Sequence, residues 1–213
     1  MKSSKIKISL LLLTFLVGVN SLKSQSEEGT GRYSILWQPT IPLAGTKEWI
    51  DVGTWSGVSF EGLGFLQDGI AIGGEISHNW TYKRFDEATY NFSATGFEGA
   101  VTGVTYRSSR MVPILLKAFY YIDAGGPLQP YVSIGAGTLY NENSFTVGMH
   151  YMQEDNWGFC ANAELGADYI FPGSNIGTHL SAKYNYANIN SVLNTNNNLS
   201  RINFCLGITF IVD

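Results

Sequence analysis

The sequence predicts an all-β protein, a transmembrane β-barrel of about eight antiparallel up-and-down strands with short periplasmic turns and long outer loops. Apolar and polar residues alternate one by one along many short segments. A period of two indicates strands, because successive side chains point to opposite faces of the pleat. Charged residues fall on the face opposite the aliphatic and aromatic one, and long and short connections alternate. A sheet with an apolar outside and a polar inside is typical of an outer-membrane barrel.

The first 25 residues predict a secretory signal peptide that is removed, which leaves residues 26–213 as one barrel domain. Lys2, Lys5 and Lys7 form a basic start, and residues 8–19 form an apolar run. A membrane span needs ~20 apolar residues, so the run is short for an anchor. An uncleaved anchor is the alternative. No cysteine lies near the cleavage region, so we do not expect a lipoprotein.

Charge and composition exclude other classes of protein. The chain has 13 basic and 17 acidic residues, and four of the lysines lie in the leader, so nine basic residues remain in the mature chain. An acidic chain is not expected to bind nucleic acid. The 24 glycines and six prolines suit strands and turns. After the leader there is no apolar stretch of ~18 residues that could form a helical span.

Eight segments show the strand pattern, and the first three place acidic or basic side chains inside. In the third segment Ile70, Ile72 and Ile76 share one face, while Glu75 lies on the other. Period-two alternation of this kind fixes which face meets the lipid. The eight predicted strands are residues 32–38, 50–62, 70–82, 111–122, 130–140, 157–171, 178–186 and 201–212.

The later strands repeat the pattern. Residues 111–122 turn an aliphatic face outward and Lys117 inward, and residues 157–171 turn Glu164 and Asp168 inward. In the last two strands the expected inward set is His179, Ser181, Lys183, Asn185, Arg201, Asn203, Cys205, Gly207 and Thr209. Aromatic residues near strand ends suit interfacial girdles. These are Trp80, Tyr82, Tyr120, Tyr140, Trp157, Tyr169 and Tyr186.

The connections predict the orientation of the barrel. Short turns are expected at residues 63–69, 123–129 and 172–175, and long loops at residues 39–49, 83–110, 141–156 and 187–200. Outer-membrane barrels have tight periplasmic turns and longer outer loops. Both termini are therefore expected in the periplasm.

Several segments resemble a known family. VPILLKAFYYI and PYVSIGAGTLY, followed by WGFCANAELGADYIF and LSAKYNY, are similar to small outer-membrane β-barrel proteins of the OmpA/OmpX/OmpW type. The likeness is strongest to the outer membrane protein beta-barrel domain proteins of Bacteroidetes, and it covers the last half to two-thirds of the chain. The resemblance implies an outer-membrane location but no single activity. Residues 207–212 resemble the C-terminal signal that the barrel-assembly machinery recognises. The sequence departs from that signal in having no phenylalanine at its last position.

The charges predicted to face inward have two interpretations. They could line a permeation path or a catalytic cluster, or they could form a paired salt-bridge network that fills the lumen. We favour the network, because a barrel of ~8 strands has just enough interior for its own side chains and unpaired buried charge is costly. The set comprises Arg32, Asp51, Glu61, Glu75, Lys117, Glu164, Asp168, Lys183 and Arg201.

Catalytic, metal and cofactor sites are not expected. His179 and Ser181 resemble the H-x-S element of outer-membrane lipid A deacylases, but they share a face with Lys183 and therefore point into the lumen instead of toward lipid. His78 and His150 are isolated, and three scattered histidines do not make a metal site. Cys160 and Cys205 lie on strands separated by a third, so we expect two free thiols in the lumen.

The segment 83–110 leaves two interpretations open. Its aromatic residues could bind a partner or ligand from a long outer loop. Alternatively, the flanking strands extend above the membrane and the aromatics pack on each other. The residues concerned are Phe85, Tyr90, Phe92, Phe97 and Tyr106.

The predicted function is that of a non-enzymatic outer-membrane barrel with a plugged polar lumen, acting as a structural, binding or complex-forming component. A passage for small hydrophobic molecules, as in OmpW-like proteins, is the alternative, and a lipid A-modifying enzyme is less favoured. Expected partners are outer-membrane lipid and lipopolysaccharide, the barrel-assembly machinery during insertion, and an envelope protein complex. No cofactor is expected.

Overall fold

The strands of the protein, seen in a computed structural model, close into a ring. The structure describes residues 30–67, 69–94, 97–122, 127–191, 193–194 and 197–212. The predicted signal peptide lies outside the described residues. The elements are β1 (Gly31–Trp37), β2 (Thr40–Leu43), α1 (Ala44–Trp49), β3 (Gly57–Gln67), β4 (Ile70–Ala94), β5 (Phe97–Tyr121), β6 (Leu128–Val147), β7 (His150–Ile170), β8 (Ile176–Asn188) and β9 (Asn198–Val212).

Each strand pairs antiparallel with its neighbour, and β1 pairs with β9 to close the barrel. Strands β1 and β2 act as one interrupted strand. Trp37 is opposite Leu206 and Thr40 is opposite Asn203, so the register along β9 is unchanged across the break. The N–H of Phe204 donates to the carbonyl of Pro39 at 3.0 Å within the break. The prediction of eight antiparallel strands is therefore confirmed.

The outside of the barrel is an apolar band. Large side chains that would be buried in a soluble protein are exposed on every side of the ring, as lipid-facing residues are in a transmembrane barrel. They include Ile35, Phe60, Ile72, Leu116, Ile134, Leu165, Leu180 and Leu206. Trp80, Tyr82 and Trp157 lie exposed toward one end, and Tyr120 and Tyr169 toward the other. Among the described residues, no helix is long and apolar enough to cross a membrane.

Four of the predicted segments had wrong boundaries. The strand predicted at residues 50–62 begins at Gly57 and runs to Gln67, so most of the turn predicted at 63–69 is strand. The loops predicted at 83–110 and 141–156 are continuations of their strands. Strands β4 and β5 each have 25 residues, whereas a tilted strand crosses a bilayer with ~9–11. The hairpins β4–β5 and β6–β7 therefore extend far beyond the apolar band.

The described termini lie at the end with the tight turns. Gly31 is the register partner of both Val212 and Gly64, close to the turn after β3. The extended hairpins lie at the opposite end. We call these the turn end and the hairpin end of the barrel.

A closed ring predicts heat-modifiable migration in SDS gels. A barrel leaves no free strand edge, and its backbone groups are paired within the membrane, so it resists detergent until boiled. We expect the refolded chain without residues 1–25 to run at two positions, depending on whether the sample is boiled. Identical migration, together with a helical circular dichroism spectrum, would contradict the fold.

Candidate functional site: a charged layer inside the barrel

The lumen is filled in layers. At the turn end an aromatic layer closes the barrel, consisting of Leu63, Phe65, Ala71, Phe119, Tyr121 and Tyr131. At the hairpin end lies an apolar layer of Met111, Leu115, Leu139, Cys160, Ala187, Ile189 and Leu199. Charged side chains lie between the two, and all of them are buried. Both cysteines are free and buried, as expected.

Strand register brings the charges face to face. Glu164 is directly opposite Lys183, and Asp168 is directly opposite His179. Opposite charges at cross-strand positions stabilise a sheet. Glu61 is opposite Glu75, which places like charges together. A cation from elsewhere on the wall must therefore lie between these two carboxylates.

Lys117 supplies that cation. Its Nζ donates to Glu61 and to Glu164 and lies 3.1 Å from the carboxylate of Glu75. Gly135 leaves room for the lysine stem, since a Cβ there would lie 2.8 Å from Cγ of Lys117. The side chain of Lys117 is fully buried.

The three glutamates have the spacing of a cation site. Their carboxylate oxygens lie within 4.8 Å of one another. Oxygen ligands of this kind suit hard cations such as Mg²⁺ or Ca²⁺. Because the ammonium group of Lys117 contacts all three carboxylates, it provides the positive charge that a metal ion would provide. The arrangement is a salt-bridge hub.

The network continues across the lumen through a second lysine and an arginine. Lys183 lies 3.0 Å from Glu75 and 3.8 Å from Glu164. Arg32 contacts Asp168 at 3.3 Å and lies over the rings of Phe65 and Tyr121 in the aromatic layer. The charged layer is therefore joined to the layer that closes the turn end.

His179 joins this network between two acids. Its Nδ1 lies 2.8 Å from Asp168, and its Nε2 lies 3.7 Å from Glu164. The cluster holds four carboxylates, Glu61, Glu75, Glu164 and Asp168, against the three cations Lys117, Lys183 and Arg32. One further proton balances the cluster, and His179 is placed to hold it.

Asp168, His179 and Ser181 also have the connectivity of a hydrolase triad. Nε2 of His179 lies 3.1 Å from the hydroxyl of Ser181 and 3.1 Å from that of Tyr131. A triad needs a nucleophile that substrate can reach. Ser181 is buried against Gly166, where a Cβ would lie 2.6 Å from Cβ of Ser181. The expected lumen-facing orientation of His179 and Ser181 is confirmed. Asp168 was expected to face the lumen, but its contact with His179 was not predicted.

Seven of the nine predicted inward charges meet in this layer, and two do not. Asp51 is wrong as a lumen charge, because residues 50–56 are not strand; its carboxylate is exposed outside the lumen and accepts a hydrogen bond from Lys83. That bond holds the pKa of Asp51 below its ordinary value. Arg201 does face the lumen, but it forms no ion pair with any residue that the structure describes. The expected pairing was therefore wrong for Arg201.

The mouth at the hairpin end is covered by a segment that the sequence pattern did not reveal. We call α1, residues 44–49, the plug. Trp49 packs on Phe145 with ring centroids 6.4 Å apart, and Arg107 stacks on Trp49 and donates to its carbonyl at 3.2 Å. Asn194 donates to the carbonyl of Gly45 at 3.3 Å. The plug closes the lumen above the apolar layer.

The remaining predicted residues lie apart from the charged layer. His78 is on the outward face and His150 is exposed at the start of β7. In the segment 83–110 the strands extend as the second interpretation predicts. Tyr82 stacks on Tyr106 at 6.0 Å, and Phe85 lies beneath Lys83 and Arg107. The side chains of Tyr90, Phe92 and Phe97 lie outside the described residues.

Comparison with known proteins identifies the fold. No protein-family model matches the sequence, and no curated protein matches it. Among solved structures, the attachment invasion locus protein Ail of Yersinia pestis matches with a TM-score of 0.51 and 12% identity, over 87% of this chain and 99% of that chain. This chain has the fold of the small outer-membrane β-barrels. Neisserial surface protein A and the N-terminal barrel of Pseudomonas aeruginosa OprF are similar at a TM-score of 0.45 each, with 14% and 15% identity over 85% of this chain and 95% and 97% of those chains.

Proposed function

We propose that the protein is a non-enzymatic barrel of the outer membrane, closed to solutes, that acts as a structural and binding component of the cell envelope. The observation that carries this proposal is the filled lumen. Aromatic, charged and apolar layers follow one another along the axis, and the plug covers the mouth. A barrel of ~8 strands has no room for a path beside these side chains.

The same architecture supports an orientation. Tight turns face the periplasm in outer-membrane barrels, so we place both termini in the periplasm and the hairpin end outside. Outer-membrane lipid and lipopolysaccharide then surround the apolar band. The barrel-assembly machinery inserts the chain, and an envelope protein complex is the partner that we expect at the hairpin end.

The extended hairpins are the surface offered to that partner. Thr89 and Thr102 are exposed register partners far beyond the apolar band, and their hydroxyls lie 2.8 Å apart. This cross-strand hydrogen bond stabilises the hairpin outside the membrane. Antiparallel walls of this length give a partner a stable surface, whereas a flexible loop must first be ordered.

Site-specific crosslinking in the native membrane tests this proposal. A photo-reactive residue at Thr89 is expected to capture a defined envelope protein, identified by mass spectrometry. The same probe at Asn175, an exposed turn residue at the opposite end, is the control and is not expected to capture that protein. Equal capture from both positions, or none from Thr89, would contradict a partner at the hairpin end.

A lipid-modifying activity is the alternative that the triad geometry raises. We predict that lipid A from membranes with and without the protein has the same acyl chains, because Ser181 is buried in the lumen and the acyl ester lies in the bilayer. Mass spectrometry of lipid A checks this prediction, with His179→Ala and Ser181→Ala as the matched variants. Removal of an acyl chain that depends on both residues would establish an enzyme.

A further inference from the structure

Arg201 is a buried cation outside the balanced cluster. It points inward from β9, is 5% exposed, and forms no ion pair within the described part of the chain. Its Nη1 contacts the sulfur of Met111, a weak acceptor, and its Nε has no acceptor there. A buried charge without a counter-charge is strongly unfavourable. The lumen at this depth therefore favours an anion.

Two small cavities between the plug and the apolar layer share Arg201 and Thr46 as lining residues. The second is also lined by Asn79. The hydroxyl of Thr46 and Nδ2 of Asn79 are buried and have no partner among the described residues. Thr40 donates to Oδ1 of Asn79 at 2.7 Å, so the unpartnered atom of the Asn79 amide is Nδ2, which is a donor.

The polar atoms that line these cavities without a hydrogen-bond partner can all donate a hydrogen bond. The guanidinium of Arg201 contributes the charge, Asn79 contributes an amide N–H, and Thr46 contributes a hydroxyl. The rest of the lining includes the apolar side chains of Met111, Trp49 and Leu199. The second cavity, at about 20 Å³, is the larger of the two and has room for one monatomic ion, whereas phosphate, sulfate and organic acids are too large for it. We call this second cavity, lined by Arg201, Thr46 and Asn79, the chamber.

We propose that this chamber binds one small monovalent anion, chloride under physiological conditions, with Arg201 as its counter-charge. The anion accepts hydrogen bonds from Arg201, Asn79 and Thr46 and neutralises the arginine beneath the plug. Because Thr46 belongs to α1, the bound anion also ties the plug to the barrel wall. The proposal does not depend on the partner proposed for the hairpin end.

Halide-dependent stability tests the chamber in solution. The barrel is refolded in detergent in sodium gluconate, whose anion is too large to enter, and gluconate is replaced stepwise by chloride or bromide at constant ionic strength. The Tm of the unmodified protein is expected to rise with halide concentration and to saturate. Arg201→Gln is expected to weaken halide binding at least about tenfold, because a charge-assisted donor is lost. Arg110→Gln, at an exposed arginine, is the control and keeps the full response.

Two further measurements keep the test decisive if Arg201→Gln does not fold. Thr46→Val removes one proposed donor with little change in volume, and is expected to weaken halide binding several-fold while the barrel remains heat-modifiable. Crystals of the unmodified protein grown in bromide are expected to show an anomalous peak beside Arg201. A Tm that is the same in halide and gluconate, or bromide peaks at exposed residues only, would overturn the proposal.

Discussion

Replacement of Lys117 by alanine is expected to lower the free energy of unfolding by about 3–5 kcal/mol. The ammonium group contacts Glu61, Glu75 and Glu164, so its loss leaves three carboxylates buried side by side. Urea unfolding of the refolded barrel, followed by tryptophan fluorescence and by the folded gel band, measures the effect. A loss of this size lowers the midpoint by about 1 M or more.

Lys47→Ala is the matched control for this change. Lys47 is an exposed lysine on α1, and surface substitutions of this kind stay within about 0.5 kcal/mol. A Lys117→Ala midpoint equal to that of the parent would show that the three carboxylates do not need the lysine. The salt-bridge hub would then have no structural role.

Glu164→Ala is the second change with a large expected effect. Glu164 is paired with Lys117 and lies 3.8 Å from Lys183, and it accepts hydrogen bonds from Tyr131 at 2.8 Å and Ser133 at 3.3 Å. Its removal leaves buried donors without an acceptor, so we expect a loss of about 3–5 kcal/mol. Glu142→Ala, which breaks a partly exposed pair with Arg110 at 3.7 Å, is expected to cost no more than about 1 kcal/mol.

The double variant separates a network from independent contacts. If Lys117 and Glu164 stabilise each other, the double variant loses less stability than the sum of the single losses, by about 0.5–3 kcal/mol. Unfolding midpoints of the parent, both single variants and the double variant give this coupling energy. Additive losses would mean that the two residues act separately.

Much of the barrel could be predicted because the membrane forces a simple pattern on each strand. Because one face of each strand meets lipid and the other meets the charged lumen, apolar and polar residues alternate along the strand. Leu116 and Lys117 could therefore be assigned to opposite faces from the sequence. Beyond the membrane neither face of a strand is consistently apolar: on β6, for example, Phe145 and Val147 are buried on the same face as Asn143, and the residues between them are polar. The period-two contrast in hydrophobicity therefore weakens. For that reason the extensions of β4 to β7 were predicted as loops.

The plug and the short strand β2 before it escaped prediction for a different reason. Strand β2 has four residues and α1 has six, and neither is long enough to show a period. Asp51 follows the plug and was misplaced because Ile50 and Val52 imitate strand alternation, while the strand itself begins at Gly57. His179 was left out of the charge set because a histidine carries no formal charge at neutral pH, although its place opposite Asp168 follows from register.

Electrical recording across a planar lipid bilayer tests the closed lumen most directly. We predict that the purified, refolded barrel gives no stepwise conductance above that of a protein-free membrane, while a general porin reconstituted in parallel does. The physical reason is that the hub of Lys117 and the plug leave no continuous aqueous path. Reproducible unitary currents through the unmodified protein, altered by Lys117→Ala without any loss of stability, would contradict this account and establish a permeation path.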